Sequence, residues 1–179
     1  MSVSGGYRRY LLWMSLALLV VIVDQVTKAA IVKWIPYLET VELNSFANLT
    51  HQRNYGAAWS FLADAGGWQR WFFVVLASAV SAFIAIWMWR IRDGRYLTLA
   101  LGLSLVLGGA VGNLVDRIRL GYVVDFIQVW FGNWPFPSFN VADSAITVGA
   151  ALLIIDSIFF SGREESDRNR ATAPDSSRN

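Results

Sequence analysis

The sequence predicts an α-helical membrane protein, with four transmembrane helices and a small β-rich extracytoplasmic platform. Three observations lead there. Of 179 residues, 55% are hydrophobic and only 16% are charged, with a mean hydropathy of +0.43; a soluble domain of this size needs more polar surface. Four apolar runs each approach the roughly 20 residues that a bilayer core requires. Charged residues gather at the ends of those runs, and nine Trp and six Tyr supply rings that favour the headgroup level.

The runs cover about residues 10–34, 68–89, 96–118 and 139–160. The first follows Arg8 and Arg9 and has the outline of a signal peptide. It nevertheless continues past Asp24 and Lys28 without a small-x-small cleavage site, so it is read as a retained span. Arg8, Arg9, Arg90, Arg92, Arg95, Arg163, Arg168, Arg170 and Arg178 fall on one side of the predicted membrane. The other side holds Lys33, Arg53, Arg70 and Arg119. The excess of arginine places both termini in the cytoplasm.

Residues 35–67 and 119–138 then face outward. Within them, 49–52 and 122–131 carry β-branched and aromatic residues in partial alternation, which predicts strands. Trp59, Trp130, Phe131 and Trp134 are expected to dip into the interface. Residues 1–161 read as one domain. The stretch 162–179 is rich in Ser, Arg, Asp and Asn and reads as a disordered cytoplasmic tail.

Several chemistries are excluded or disfavoured. There is no Cys for a disulfide or a thiolate, and the one His, His51, is read as an exposed loop residue. Most zinc sites therefore lack ligands, and no metal or cofactor is expected. A net charge of +2 argues against nucleic acid as a partner.

Polar residues inside an apolar chain need a reason, because each costs several kcal/mol unless paired or hydrated. Asp24 and Lys28 stand at i, i+4, as a self-neutralising pair or as part of a site. Asn113, Asp116 and Arg117 share a face near the outer end of the third span. Either Asp116 neutralises Arg117, or Asn113 and Arg117 line a polar cavity that Asp116 orients; the second reading is favoured. Asp125 lies between Val124 and Phe126 in a predicted strand, where a lone carboxylate is expensive. Asn140 and Asp143, at i, i+3, open the fourth span at the same outward depth.

Two carboxyl groups close together share a proton, and such a pair hydrolyses a peptide bond without metal, Cys or His. A proton-coupled carrier also uses paired intramembrane acids, and spacing alone does not separate the two. Placement near one interface and the lack of inverted repeats count against the carrier. A non-enzymatic assembly factor would need neither acid.

Five segments carry a resemblance: Asp24-Gln25-Val26-Thr27-Lys28; residues 52–60 from Gln52 through Asn54 and Gly56 to Ser60; residues 108–117 from Gly108 to Arg117; Gly121 to Phe126; and Phe139-Asn140-Val141-Ala142-Asp143. In this order, on four spans, the chain resembles bacterial lipoprotein signal peptidase (signal peptidase II) over nearly its whole length. The resemblance implies an intramembrane aspartic endopeptidase with Asp125 and Asp143 as catalytic pair. It also implies that Asn54, Gly56, Asn113, Arg117 and Asn140 shape the site and that Asp24, Lys28 and Asp116 support it. The implied substrate is a prolipoprotein with a diacylglyceryl cysteine, cut just before that cysteine by a monomeric enzyme of the bacterial inner membrane. On this reading Trp59 belongs to a mobile stretch that covers the bound substrate.

Overall fold

The computed structural model describes residues 3–56, 66–93 and 96–159. Four long helices are present: α1 (Val3–Trp34), α2 (Trp68–Arg90), α3 (Leu97–Arg119) and α4 (Val141–Phe159). All four are long and apolar enough to cross a bilayer, and the chain is a multi-pass membrane protein. Four short strands, β1 (Thr40–Glu42), β2 (Ala47–Asn54), β3 (Val123–Phe131) and β4 (Trp134–Pro135), form one antiparallel sheet in chain order. The predicted tail 162–179 and Trp59 lie outside the described residues.

Helix α3 is the centre of the bundle and the most enclosed helix, with half of its apolar window buried. It packs on α1, α2 and α4. Small residues permit this, as they do between helices that lack a hydrophobic drive to associate in lipid. A Cβ on Gly109 would run into the Ala142 carbonyl of α4, and one on Gly112 would stand 2.7 Å from Asp24 Oδ2 of α1. Below these contacts a core of Ala17, Ile84, Met88, Leu103 and Leu107 joins α1, α2 and α3. Most remaining large apolar side chains on α2 and α4, such as Trp71, Val75, Phe83, Ile154 and Ile158, are exposed on the molecule and face the lipid.

The sheet sits at the end of the bundle where α1 and α3 finish and α2 and α4 begin. Strand β3 leaves α3 through Gly121, whose φ of 87° turns the chain at once into the extended form. It pairs with β2 from Ala47↔Val129 to Asn54↔Val123, with one extra β2 residue between Leu49 and Gln52. Such a bulge re-aims the side chains after it. The inner face of β3, Val124 and Phe126, packs on Ile31 and Ile35 at the end of α1.

The fourth span begins at Val141, two residues later than predicted. Phe139 is bridged to Ile127 of β3, and Asn140 is the residue that caps α4. Its Oδ1 accepts the Asp143 N–H at 2.9 Å, while Asp143 Oδ2 accepts the Asn140 N–H at 3.2 Å. This is a reciprocal capping box built from Asn and Asp. The first helix also begins earlier than predicted, at Val3 rather than residue 10. His51 is a second correction: it is 3% exposed, its Nδ1 is 2.8 Å from the Ile35 carbonyl, and the Tyr37 ring stands edge-on to it. The pairing of β1 on β2 draws it in, because Leu38 and His51 share a backbone hydrogen bond.

The α3–α4 contact sets the height of Asp143 against the sheet. Gly109→Val is expected to force the helices apart and lower stability by about 1–3 kcal/mol, read as a drop in the unfolding temperature of the purified protein.

Candidate active site

Lys28 is 3% exposed, and each of its three N–H donors has a partner. Nζ lies 2.8 Å from Asp24 Oδ2, 3.0 Å from Asp116 Oδ2 and 2.9 Å from Asn113 Oδ1. The carboxylates reach further. Asp24 Oδ1 accepts the Ala142 N–H in the first turn of α4 at 3.0 Å, and Asp116 Oδ2 accepts the Val124 N–H of β3 at 3.1 Å. Gln25 Nε2 spans both acids, at 3.2 Å from Asp24 and 2.9 Å from Asp116. Asp116 therefore turns to Lys28 and does not neutralise Arg117. Asp116 and Asn113 are joined through Lys28, which contacts both.

In front of this cluster lies a cavity of about 780 Å³, formed where β2, α3, β3 and α4 meet. Asp125 and Asp143 both line it, with Asn54, Asn113 and Arg117. Three amides hold the two carboxyls. Asn113 donates from Nδ2 to Asp143 Oδ1 at 2.8 Å, Asn54 to Asp125 Oδ2 at 3.0 Å, and Asn140 to Asp125 Oδ1 at 2.7 Å. Each amide is oriented from behind by a donor that its oxygen must face. For Asn113 this is Lys28 Nζ; for Asn54 it is the Gly56 N–H at 2.9 Å; for Asn140 it is the Asp143 N–H. Lysine and backbone N–H groups cannot accept, so the NH₂ ends are left to point at the carboxyls. Asn140 thus bridges the pair, since it touches Asp125 by its side chain and Asp143 by its backbone.

Burial raises the Asp125 carboxyl first, and the negative charge of Asp143 raises it further, to about 7. The N–H donors of Asn54 and Asn140 and the charge of Lys28 only partly offset this. At neutral pH Asp125 is thus poised to hold or release a proton, as a carboxyl working in acid–base chemistry must be.

Arg117 completes the wall. Its Nη2 donates to the Gly56 carbonyl at 2.9 Å, and its guanidinium stands 5.0 Å from the Phe73 ring centre. Gly56 therefore joins Asn54 to Arg117 through the backbone of a single residue. Among the described residues no carboxylate lies within salt-bridge distance of Arg117. Every predicted site residue falls in one of two places. Asn54, Asn113, Arg117, Asp125 and Asp143 line the cavity, and Gly56 and Asn140 fasten the residues that do. Asp24, Lys28 and Asp116 stand behind it, sealed from it.

Residues 16–159 match the family model described as signal peptidase (SPase) II. The chain belongs to the signal peptidase II family. It is therefore an enzyme, a peptidase of the aspartic type. A lipoprotein signal peptidase of Cupriavidus pinatubonensis is 53% identical over 155 residues, 87% of each chain. One of Acinetobacter baumannii is 49% identical over 153 residues, 86% of each chain. A solved bacterial membrane enzyme, determined by the in meso method at 2.3 Å resolution, is 34% identical. It superposes with a TM-score of 0.72 over 82% of this chain and 87% of that one.

Two residues that brace the surroundings of the cavity escaped the sequence reading. Gln25 lies beside Asp24 in the first span, and an amide in an apolar helix is itself the signal. Arg70 donates to the carbonyls of Arg117 at 2.9 Å and Ile118 at 2.8 Å, and so caps α3 from α2. Its signal is a cation in the first turn of a helix, where the dipole disfavours it unless another partner is present.

Removing Lys28 leaves two buried carboxylates facing each other. Lys28→Met is expected to cost about 3–5 kcal/mol of stability, measured by thermal unfolding of the purified peptidase in detergent.

Proposed function

We propose that this peptidase removes the signal peptide from bacterial prolipoproteins whose cysteine already carries diacylglycerol. The bond cut is the one just before that cysteine, and the attacking water is activated by Asp125 and Asp143. The carrying observation is the carboxyl pair, Asp125 buried and Asp143 half-buried, bridged by Asn140 in a partly apolar cavity. Two carboxyls so placed do not both ionise readily, and the pair works with one proton between them.

The environments of the two acids support a division of roles. Asp143 stands in the first turn of α4, where the helix dipole favours a negative group. Asp125 stands on a strand without that field, raised to about 7. Asp143 takes a proton from water as its oxygen attacks the scissile carbonyl carbon, and Asp125 gives its proton to the carbonyl oxygen. In the second step Asp143 returns its proton to the departing nitrogen. Asp125 takes one back from a hydroxyl of the intermediate as the C–N bond breaks, and the pair is restored. Arg117 contacts a substrate carbonyl at the cavity wall.

The enzyme acts as a monomer surrounded by membrane lipid, with both termini cytoplasmic and the cavity near the outer face. The arginines at the far end of the helices support this orientation. Anchored by its acyl chains, the substrate cysteine sits at the depth of the cavity mouth, which gives the pair its substrate without a deep binding cleft.

Asp125→Asn and Asp143→Asn are each expected to lower kcat by on the order of 10²–10⁴-fold while the substrate still crosslinks to the enzyme. The acid role of Asp125 also sets the pH dependence. Its proton is present below about pH 7 and lost above it, so kcat/KM is expected to fall as pH rises through that value. Near-normal turnover by either variant, or a profile that stays level from about pH 6 to pH 8, contradicts the assignment.

A further inference from the structure

A second cleft, of about 300 Å³, opens at the end of the bundle opposite the carboxyl pair. It lies between the start of α1, the end of α2 and the start of α3, and shares no residue with the first cavity. Leu12, Trp13, Met88 and Leu97 are among its apolar walls, and Arg9 and Arg92 also line it. Met88 is 2% exposed, whereas Leu12 and Leu97 are more than half exposed, so the cleft runs from the interior out to the side of the helices.

Both guanidinium groups are held in place. Arg92 donates from Nη1 to the Trp89 carbonyl at 2.7 Å, and its Cζ lies 4.0 Å from the Trp89 ring centre. The Tyr10 ring meets the same indole edge-on at 5.1 Å. Arg9 Nη1 donates to the Asp93 carbonyl oxygen at 3.2 Å, which ties α1 to the turn after α2. The Asp93 carboxylate stands 3.8 Å from Arg92 Nε, beyond hydrogen-bond distance, and is 60% exposed. At this end of the bundle the described arginines, Arg8, Arg9, Arg90 and Arg92, outnumber the described acids.

The apolar walls of the cleft offer water no hydrogen-bond partner, and they lose their dispersion contacts when the cleft is empty. In a bilayer the group at hand to fill it is an acyl chain. Two fixed guanidinium groups beside it select among lipids, because they hydrogen-bond a phosphate well and carry charge that a zwitterionic headgroup half cancels. Basic pockets between transmembrane helices on the cytoplasmic side recognise acidic headgroups in this way. We propose that the cleft binds one anionic glycerophospholipid, with its phosphate between Arg9 and Arg92 and one acyl chain along Leu12, Met88 and Leu97. The bound lipid fastens the ends of α1, α2 and α3 together. Its assignment to the cytoplasmic leaflet rests on the orientation proposed above; the binding itself does not.

Native mass spectrometry of the full-length peptidase, released from detergent with phosphatidylglycerol or phosphatidylcholine of matched chains, tests this without any turnover. One phosphatidylglycerol per chain is expected to survive activation that strips phosphatidylcholine. Its occupancy is expected to fall about tenfold in the Arg9→Gln/Arg92→Gln double variant. Leu97→Trp, which puts an indole across the cleft and spares both arginines, is expected to lower it as well. Peptidase activity of both variants in phosphatidylcholine vesicles, expected to match the parent, reports that they are folded. Equal retention of the two lipids by the parent, or phosphatidylglycerol retention unchanged in the folded double variant, overturns the proposal.

Discussion

The burial of one ammonium group organises this molecule. Lys28 is almost fully buried, and a bilayer core offers no water, so its three N–H bonds must end on protein acceptors. They end on Asp24 of its own helix and on Asp116 and Asn113 of α3. The two carboxylates in turn must use their remaining lone pairs, and they take backbone N–H groups of α4 and β3 that the ends of those elements leave unpaired. Satisfying one cation thereby fixes three helices and a strand relative to each other. The glycines of α3 follow from the same demand, since Gly112 leaves the space in which the Asp24 carboxylate sits.

Order passes from this cluster to the cavity through amide groups. An Asn side chain is nearly symmetric in shape, and only its partners decide which end is the donor. Lys28 decides for Asn113, the α4 cap decides for Asn140, and the Gly56 turn decides for Asn54. All three thus present NH₂ to a carboxyl. The residues behind the cavity therefore matter to it as much as those that line it. Rigid donors aimed at Asp125 moderate the rise that burial imposes, and a carboxyl near 7 is the outcome.

The spans were legible because lipid enforces long apolar runs, and β2 and β3 because one face of the sheet is buried on Ile31 and Ile35. Strand β1 was not, being three exposed residues that exist only through their partners on β2. The start of α4 was misplaced because Phe139 and Asn140 are apolar and polar in the right order for a helix, while the bridge to Ile127 is a tertiary event. The same limit hid the true partner of Asp116. Arg117 is its neighbour in sequence, but Lys28, far away along the chain, is its neighbour in space. His51 looked like a loop residue because its burial depends on Tyr37 and the end of α1 folding over it. Asp125 stood out for a different reason: a carboxyl between Val and Phe has no cheap explanation, and that expense marks it from sequence alone.

The central claim is that this carboxyl pair hydrolyses one bond of a lipid-anchored substrate. The most direct measurement is mass spectrometry of the products when the purified chain, in lipid vesicles, meets a prolipoprotein with and without diacylglycerol on its cysteine. The account predicts one new amino terminus, at the lipidated cysteine, and no cleavage of the unlipidated precursor. An intact lipidated precursor, or a cut at another bond, would contradict it.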